Sequence, residues 1–501
     1  MKSSTSAPLS FECCISDLQR EYTQSEIEVQ SVELLTIFKD LNITRVALIA
    51  DNSIEWVVVD LLCRKANITL LALPTFFSEE QRRHAIQSCS TCAVITDNPA
   101  LLEQEFSIQT RALKTLGDGR LSLCLLKYVS KSAEIPQGTG KITFTSGSTG
   151  SPKGVCLSNE QLTRQAIALA EIVGIESPRH LCLLPLSTLL ENVAGVYAPM
   201  MVSGEIIIPS QSELGFRGSA LEDQGKLLAI MQHVRPHSVI LIPQLLLLLI
   251  TAIKQGWKAP DSLKFIAVGG SKVAADLLYE SKSLGLPVFE GYGLSECASV
   301  VSLNTGVANN PGSCGRPLSH VELSFDEGEV MVASNSMLGY VNDPASWNQS
   351  TIATGDLGHL DEQGFLHIDG RKKNLLISSY GRNISPEWVE CELLANPILA
   401  EVVVLGDAKP YCIALLTVHK PQIADAEIGN WIEKVNQGLP DYAQVKRWHR
   451  LTEFLQNDDR LMTENGRPRR ENISRTFNLE IDQLYRMKSL VSKSGETVLA
   501  S

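Results

Sequence analysis

The sequence has no long hydrophobic run. Its most apolar stretch, Ser238 to Ile253, contains Pro243 and Gln244. It falls short of the roughly 20 residues a bilayer span requires and reads as a buried strand running into a buried helix, so no transmembrane segment is expected. The first residues carry a single lysine before a Ser/Thr-rich start and no apolar segment, so no secretory leader is expected. Basic residues are in short supply. With 44 Lys+Arg against 56 Asp+Glu, the net charge is −12, which argues against broad nucleic-acid binding. The 12 cysteines lack metal-site spacing: Cys13 and Cys14 are adjacent, and Cys89-x-x-Cys92 has no second such pair. Reduced thiols in a cytoplasmic protein are the expectation, not zinc. No repeat of fixed period is visible. At 501 residues the chain exceeds one core, and two or more domains follow.

What the sequence does have is a stretch of glycine and hydroxyl residues, Thr143-Phe-Thr145-Ser146-Gly147-Ser148-Thr149-Gly150-Ser-Pro152-Lys153-Gly154. An apolar lead-in precedes it and Val155 starts a second apolar run. Glycine lets backbone approach a ligand closely. Successive N–H groups in such a loop form a nest for an anion. The hydroxyls add donors and Lys153 a point charge, so the stretch suits a polyphosphate. A plain Ser/Gly linker would not need the strand-like lead-in or Lys153. It is not a Walker loop, because Lys153 follows proline, and it is not G-x-G-x-x-G.

The surrounding pattern predicts layered α/β structure. Arg45 to Ala50, Ile68 to Leu73 and Ala93 to Thr96 read as buried strands. Helical spacing over 54–65 and 79–88 alternates with them, which implies a parallel sheet. Asp51-Asn52-Ser53 offers an N-cap, and Ser158 to Gln161 resembles another helix start. Further strands are expected at 181–186, 205–209, 239–242, 265–268 and 288–289, with an apolar helix over 189–200. From Val321 short strands and Gly turns indicate a β-rich subdomain. Gly370-Arg371-Lys372-Lys373 is a charged break, and a compact α+β pattern follows it: helix 386–395, strands 399–405 and 411–418, helix 428–436. We place the domain boundary there, giving a large domain over 1–369 and a small one over 370–501.

Five further stretches can carry chemistry. In Glu290-Gly-Tyr292-Gly293-Leu-Ser295-Glu296, the ring beside glycine offers a flat face for a purine, Ser295 a phosphate donor, and Glu296 a hard oxygen for Mg²⁺. A turn with a core tyrosine is the plain alternative. Asp356, in Thr354-Gly355-Asp356, can accept from vicinal ribose hydroxyls, though such a tripeptide also makes ordinary turns. Leu184-Pro-Leu-Ser187-Thr188-Leu-Leu-Glu191 joins a strand to a helix and could line a pocket. Gly269-Gly270, after a buried strand, lets a substrate pass close to backbone. The fifth stretch is Thr463-Glu-Asn-Gly466-Arg467-Pro-Arg-Arg470.

Taken together and in this order, these stretches resemble the adenylate-forming (AMP-binding) superfamily of acyl-CoA synthetases, nonribosomal adenylation domains and firefly luciferase. Fatty acyl-CoA synthetases look most similar. The resemblance implies a large α/β domain with a β-rich subdomain and a small mobile C-terminal domain. It implies that ATP and Mg²⁺ activate a carboxylic acid as an acyl-adenylate, which then passes to a thiol. By this resemblance Thr145 to Gly150 and Lys153 cradle the phosphates, and Thr149 and Glu296 hold the metal. Gly270, Tyr292, Gly293 and Ser295 line the nucleotide, with Tyr292 on adenine. Asp356 and Arg371 bind the ribose, Lys373 is the hinge, and the region of Gly381 meets the thiol. Two departures matter. Thr188 stands where many relatives have histidine, and no aspartate is present to pair an amino-acid ammonium, which lowers an amino-acid substrate. Arg467 stands where relatives carry the adenylation lysine; it keeps the charge but is not a like-for-like replacement. A fatty or other apolar acid transferred to coenzyme A is the leading expectation. An acyl carrier protein loaded in trans on its phosphopantetheine arm, or a catalytically weak binding homologue, are the alternatives.

Overall fold

The computed structural model describes residues 13–112, 120–127, 132–145, 152–218, 220–463 and 466–486. The chain divides into two compact units, Met1–Asp369 and Gly370–Ser501.

Two large sheets organise the first unit. The eight-stranded sheet runs, edge to edge, Gly339–Tyr340, Lys153–Ser158, Thr139–Thr145, Thr69–Ala72, Arg45–Ile49, Ala93–Thr96, Ser122–Leu126 and Ile108–Ala112. Its centre is parallel, as the strand–helix alternation predicts. Its flanks are antiparallel, a feature the alternation did not reveal. The nine-stranded sheet has Phe265–Val268, Ser238–Leu241, Arg179–Leu181 and Glu205–Ile207 as its parallel middle, with Val288–Leu294 alongside Phe265–Val268. The short strand Cys14–Ser16 adds to it beside Glu205–Ile207.

Helix Ile54–Ala66 is buried on nearly every side, including Trp56, Val57, Val58, Val59 and Asp60. A helix apolar all round must lie inside layers rather than on a surface. Its start is fixed by Ser53, whose hydroxyl accepts from Trp56 N at 3.1 Å, and its end by Asn67 in the left-handed region. Helix Asn159–Val173 begins the same way, with Ser158 Oγ accepting from Gln161 N at 3.0 Å. The β-rich part is a four-stranded sheet of Glu322–Asp326, Glu329–Ala333, Thr351–Leu360 and Leu366–Arg371.

Two expectations need correction. The strand over 181–186 stops at Leu181, where side chains rather than a neighbouring strand take the backbone groups of Leu183, Leu184 and Leu186, and Pro185 has no N–H to offer a ladder. The helix expected over 189–200 is in its middle a π-helix, Glu191–Tyr197, followed by the α-turn Ala198–Met200.

The second unit is built on the strands Leu399–Leu405, Cys412–Val418 and Val445–Arg450. Alternate residues serve two cores. Val402, Val404 and Leu416 pack with Val389, Leu393 and Ile428, while Val403, Leu405 and Leu415 pack with Ile473 and Leu484. Arg470 ties helix Arg470–Thr476 to helix Pro386–Leu394 through Glu390 at 2.5 Å.

Candidate active site

The Gly-rich stretch connects two antiparallel strands whose register pairs Thr145 with Lys153. Residues 146–151, which include the candidate phosphate ligands Ser146, Gly147, Ser148, Thr149 and Gly150, lie outside the described residues. The two ends are described. Thr145 is half-buried at the end of one strand, and Lys153 is exposed at the start of the other. Beside Lys153 on the neighbouring edge strand lies Tyr340, whose backbone pairs with Val155. The Lys153 ammonium sits 4.8 Å from the Tyr340 ring centroid, within the range of a cation–π contact. The Tyr340 hydroxyl donates to Glu296 Oε1 at 3.0 Å. Burial first, then the Glu296 charge, raises the Tyr340 hydroxyl above its ordinary value, so it stays a donor. The backbone of Glu296 is also fixed, its carbonyl accepting from Met337 N at 2.7 Å. Two residues singled out in the sequence, Lys153 and Glu296, are thus brought to one place by a third, Tyr340. Sequence reasoning missed Tyr340, and no local pattern marks it.

A second cluster forms where strand Val288–Leu294 meets the β-rich sheet. The Tyr292 hydroxyl donates to Asp356 Oδ2 at 2.6 Å. Asp356 is only 4% exposed. Its own N–H donates to Thr354 Oγ1 at 3.0 Å, and Gly355 N donates to Glu329 Oε1 at 2.9 Å. A short charge-assisted bond of this kind is stronger than a neutral one, and it fixes both the ring and the carboxylate. The strand Thr351–Leu360 bulges here against Glu329–Ala333, and Gly355, at φ +72°, allows it. Gly293 is required for a different reason: a Cβ there would lie 1.7 Å from Ser299 O. Ser295 opens the turn Ser295–Cys297 that carries Glu296, so Tyr292, Gly293, Ser295 and Glu296 belong to one short path between the two clusters. Gly270 follows strand Phe265–Val268, is exposed and has φ +87°. Two residues before Tyr292 on the same strand, Glu290 is buried, and desolvation pushes its carboxyl up to about 8 against the opposing pull of the Val273 N–H and the Lys272 charge.

Arg371 and Arg467 lie in the second unit. Arg371 is half-buried at the end of its strand, and its carbonyl accepts from Asn374 N and Leu375 N at 3.0 and 3.1 Å. Arg467 is exposed on a tight loop. Thr463 N donates to Arg467 O at 2.7 Å, Arg467 N donates to Thr463 Oγ1 at 2.9 Å, and Met462 bridges to Pro468. Gly466, at φ +68°, makes the turn.

Known proteins resemble this chain in sequence and in fold. The family model described as AMP-binding enzyme matches residues 13–337, and that of the AMP-binding enzyme C-terminal domain matches 373–489. A 2-succinylbenzoate–CoA ligase of Bacillus subtilis is 28% identical over 407 residues, spanning 75% of this chain and 78% of the relative. The long-chain-fatty-acid–CoA ligase FadD15 of Mycobacterium bovis is 23% identical over 539 residues, 88% of each. Among solved structures, the anthranilate CoA ligase AuaEII with anthranoyl-AMP superposes with a TM-score of 0.77 at 18% identity, covering 94% of this chain and 95% of that one. The Bacillus subtilis o-succinylbenzoate coenzyme A synthetase with ATP and magnesium ion gives 0.71 at 24%, covering 88% and 94%. Both show the adenylate-forming fold. With one family model spanning most of the first unit and its companion most of the second, the chain belongs to the AMP-binding enzyme family.

Proposed function

We propose that this protein is an AMP-forming acid–thiol ligase that activates an apolar carboxylic acid and passes it to coenzyme A. The observation that carries the reading is the Tyr292–Asp356 bond at 2.6 Å. A half-buried ring and a buried carboxylate locked to each other are prepared for a base and a ribose before either arrives. In this reading residues 1–369 form the adenylation domain and 370–501 the mobile C-terminal domain, with Lys373 at the hinge; the division into two compact units supports it.

In the first half-reaction a carboxylate oxygen of the acid bonds to the α-phosphorus of ATP, and the bond to pyrophosphate breaks. Charge grows on phosphoryl oxygens, so catalysis is mainly positioning and electrostatics. Lys153 and the Gly-rich stretch bind the phosphates, Asp356 and Arg371 the ribose, and Ser295 and Gly293 shape the adjoining backbone. Glu296, a half-buried carboxylate oriented by Tyr340, suits Mg²⁺, which takes one or two carboxylates beside phosphate oxygens; with Thr149 it would hold the ion, which offsets charge on the phosphates. Arg467 supplies the cation between carboxylate and α-phosphate, donating through two N–H groups where relatives use one ammonium. In the second half-reaction the thiol displaces AMP near Gly381.

The acid is a fatty acid in the first instance, on the apolar character of 189–200 and 239–250. An aryl acid is a second reading, favoured by the 2-succinylbenzoate ligases among the relatives. A cytoplasmic setting agrees with twelve free cysteines; among the described residues no helix is long and apolar enough to cross a membrane. The test is carboxylate-dependent ATP–pyrophosphate exchange with octanoate, palmitate, benzoate and 2-succinylbenzoate, followed by thioester formation with coenzyme A or with an acyl carrier protein. Exchange with any acid supports the ligase. ATP binding without exchange for every acid overturns it in favour of a binding homologue. Arg467→Lys should change the exchange rate and leave ATP affinity intact, and Arg467→Ala leaving exchange untouched would remove its role.

A further inference from the structure

The segment Leu184 to Thr188 has no regular structure, yet side chains from far along the chain hold its backbone. Asn52 Nδ2 donates to Leu184 O at 2.9 Å, and Leu186 N donates to Asn52 Oδ1 at 2.8 Å. Leu184 N donates to Glu191 Oε2 at 3.1 Å, and Gln211 Nε2 to Leu183 O at 3.3 Å. Asn52 is 4% exposed and Glu191 0%. These bonds stand in for a strand ladder beyond Leu181 and hold the backbone at Leu183, Leu184 and Leu186.

Glu191 is itself held. Its Oε1 lies 2.9 Å from His180 Nε2, and His180 Nδ1 lies 2.9 Å from Ser238 Oγ on the next strand. A Cβ on Gly195 would come within 2.4 Å of Glu191 Oε1 and 2.7 Å of His180 Nε2, so the π-helix closes directly over the pair. The ligand atoms of His180, Cys182 and Glu191 lie within 4.8 Å of one another, which could suggest a metal site. Both ring nitrogens of His180 and both oxygens of Glu191 already have protein partners. Burial and then the Glu191 charge hold the Cys182 thiol well above its ordinary value, the reverse of what a thiolate ligand needs. The cluster is a closed hydrogen-bond network with a mechanical task. π-helical turns concentrate at functional sites, and a site is only as accurate as the residues that hold its lining in place.

We infer that Asn52 and Glu191 are positioning residues for the acid substrate, holding Leu184–Thr188 as a rigid wall that presents the half-buried Thr188 to the acid. This rests on the ligase reading. Neither residue reaches ATP in that reading, so their loss should fall on one substrate.

The experiment measures ATP–pyrophosphate exchange for the wild type, Asn52→Ala, Glu191→Ala and Glu191→Gln, with the four acids above, alongside thermal melting. Loss of these buried bonds should raise KM for the acid about tenfold or more and leave KM for ATP within about twofold. Glu191→Gln keeps an acceptor for Leu184 N and should recover most of the acid affinity. If Glu191→Ala does not fold, Asn52→Ala, which strands no charge, carries the same readout. Acid and ATP KM rising together, or an acid KM that does not move, would overturn the assignment. A wild type silent with every acid overturns the ligase reading, and this inference with it.

Discussion

Replacing Lys141 by methionine tests how the interior of the first unit is held. Lys141 lies on strand Thr139–Thr145, which leads into the Gly-rich stretch, and its side chain is 2% exposed. Its ammonium lies 2.7 Å from Asp60 Oδ1 and donates to Tyr197 OH at 2.8 Å and to the Asn192 carboxamide. Asp60 also accepts from Tyr197 OH at 2.6 Å and from Asn192 Nδ2 at 2.9 Å. Burial pulls the Lys141 ammonium below its ordinary value, and Asp60 pulls it back. Methionine fills similar volume but leaves Asp60 buried without a cation. Breaking one side of such a pair costs about 3–5 kcal/mol. Two donors stay on Asp60, so the lower figure, about 3 kcal/mol, is expected. Urea unfolding followed by tryptophan fluorescence reads it, since Trp56 packs beside the ammonium at 5.8 Å. The double variant Lys141→Met/Asp60→Leu should regain at least half of the loss, because the charge is then gone from both sides. A single-variant cost below about 1 kcal/mol, or additive losses in the double variant, would refute the ion-pair account.

Three other outcomes are expected. Tyr292→Phe removes the hydroxyl from Asp356 and should raise KM for ATP by roughly tenfold to a hundredfold, from about 1.5–3 kcal/mol for a bond to a charged group; exchange kinetics with ATP varied check this, and an unchanged KM for ATP counts against the pairing. Gly293→Ala places a Cβ against the Ser299 and Val300 backbone, which no rotamer relieves. Melting temperature and ATP binding measured by calorimetry should both fall, and a native-like variant would mean the bulge at Tyr292–Gly293 opens freely. Glu290 has a folded-state pKa of about 8, raised from 4.5. Its favourable contribution is therefore full below pH about 4.5 and is lost as pH rises through about 8, by roughly 5 kcal/mol over the window. Glu290→Gln should match the wild type near pH 5 and exceed it in stability near pH 8. Parallel stability–pH curves for the two would remove the effect.

The division between what the sequence disclosed and what it withheld follows the range of the interactions. The strands Arg45–Ile49 and Ala93–Thr96 and helix Ile54–Ala66 were legible because each is specified locally, by a continuous apolar run or by a cap such as Ser53 three residues from its acceptor's partner Trp56. The motif residues of the two clusters, Lys153, Tyr292, Glu296 and Asp356, were singled out for another reason: a flat ring, a hard oxygen and a flexible backbone are chemical requirements that show in residue type. What stayed hidden is set by partners distant in sequence. Lys141 looks like any polar residue until Asp60 and Tyr197 close on it. Tyr340 gains meaning only from Glu296 and Lys153, and Asn52, which read as part of a helix cap, spends its side chain on Leu184 and Leu186 instead. The π-helix is withheld for the same cause. Nothing in the apolar spacing of 189–200 distinguishes it from an α-helix; Glu191 at one end and Tyr197 at the other bond to His180 and Asp60 respectively, and those anchors accompany the wider turn. The sequence therefore offers the residue types of the proposed site, while the buried polar residues that hold their surroundings have partners that only the fold supplies. That ordering predicts where function is most fragile to substitution outside the motifs: at Asn52, Lys141 and Glu191, ahead of exposed residues such as Gly270 that the motifs themselves pick out.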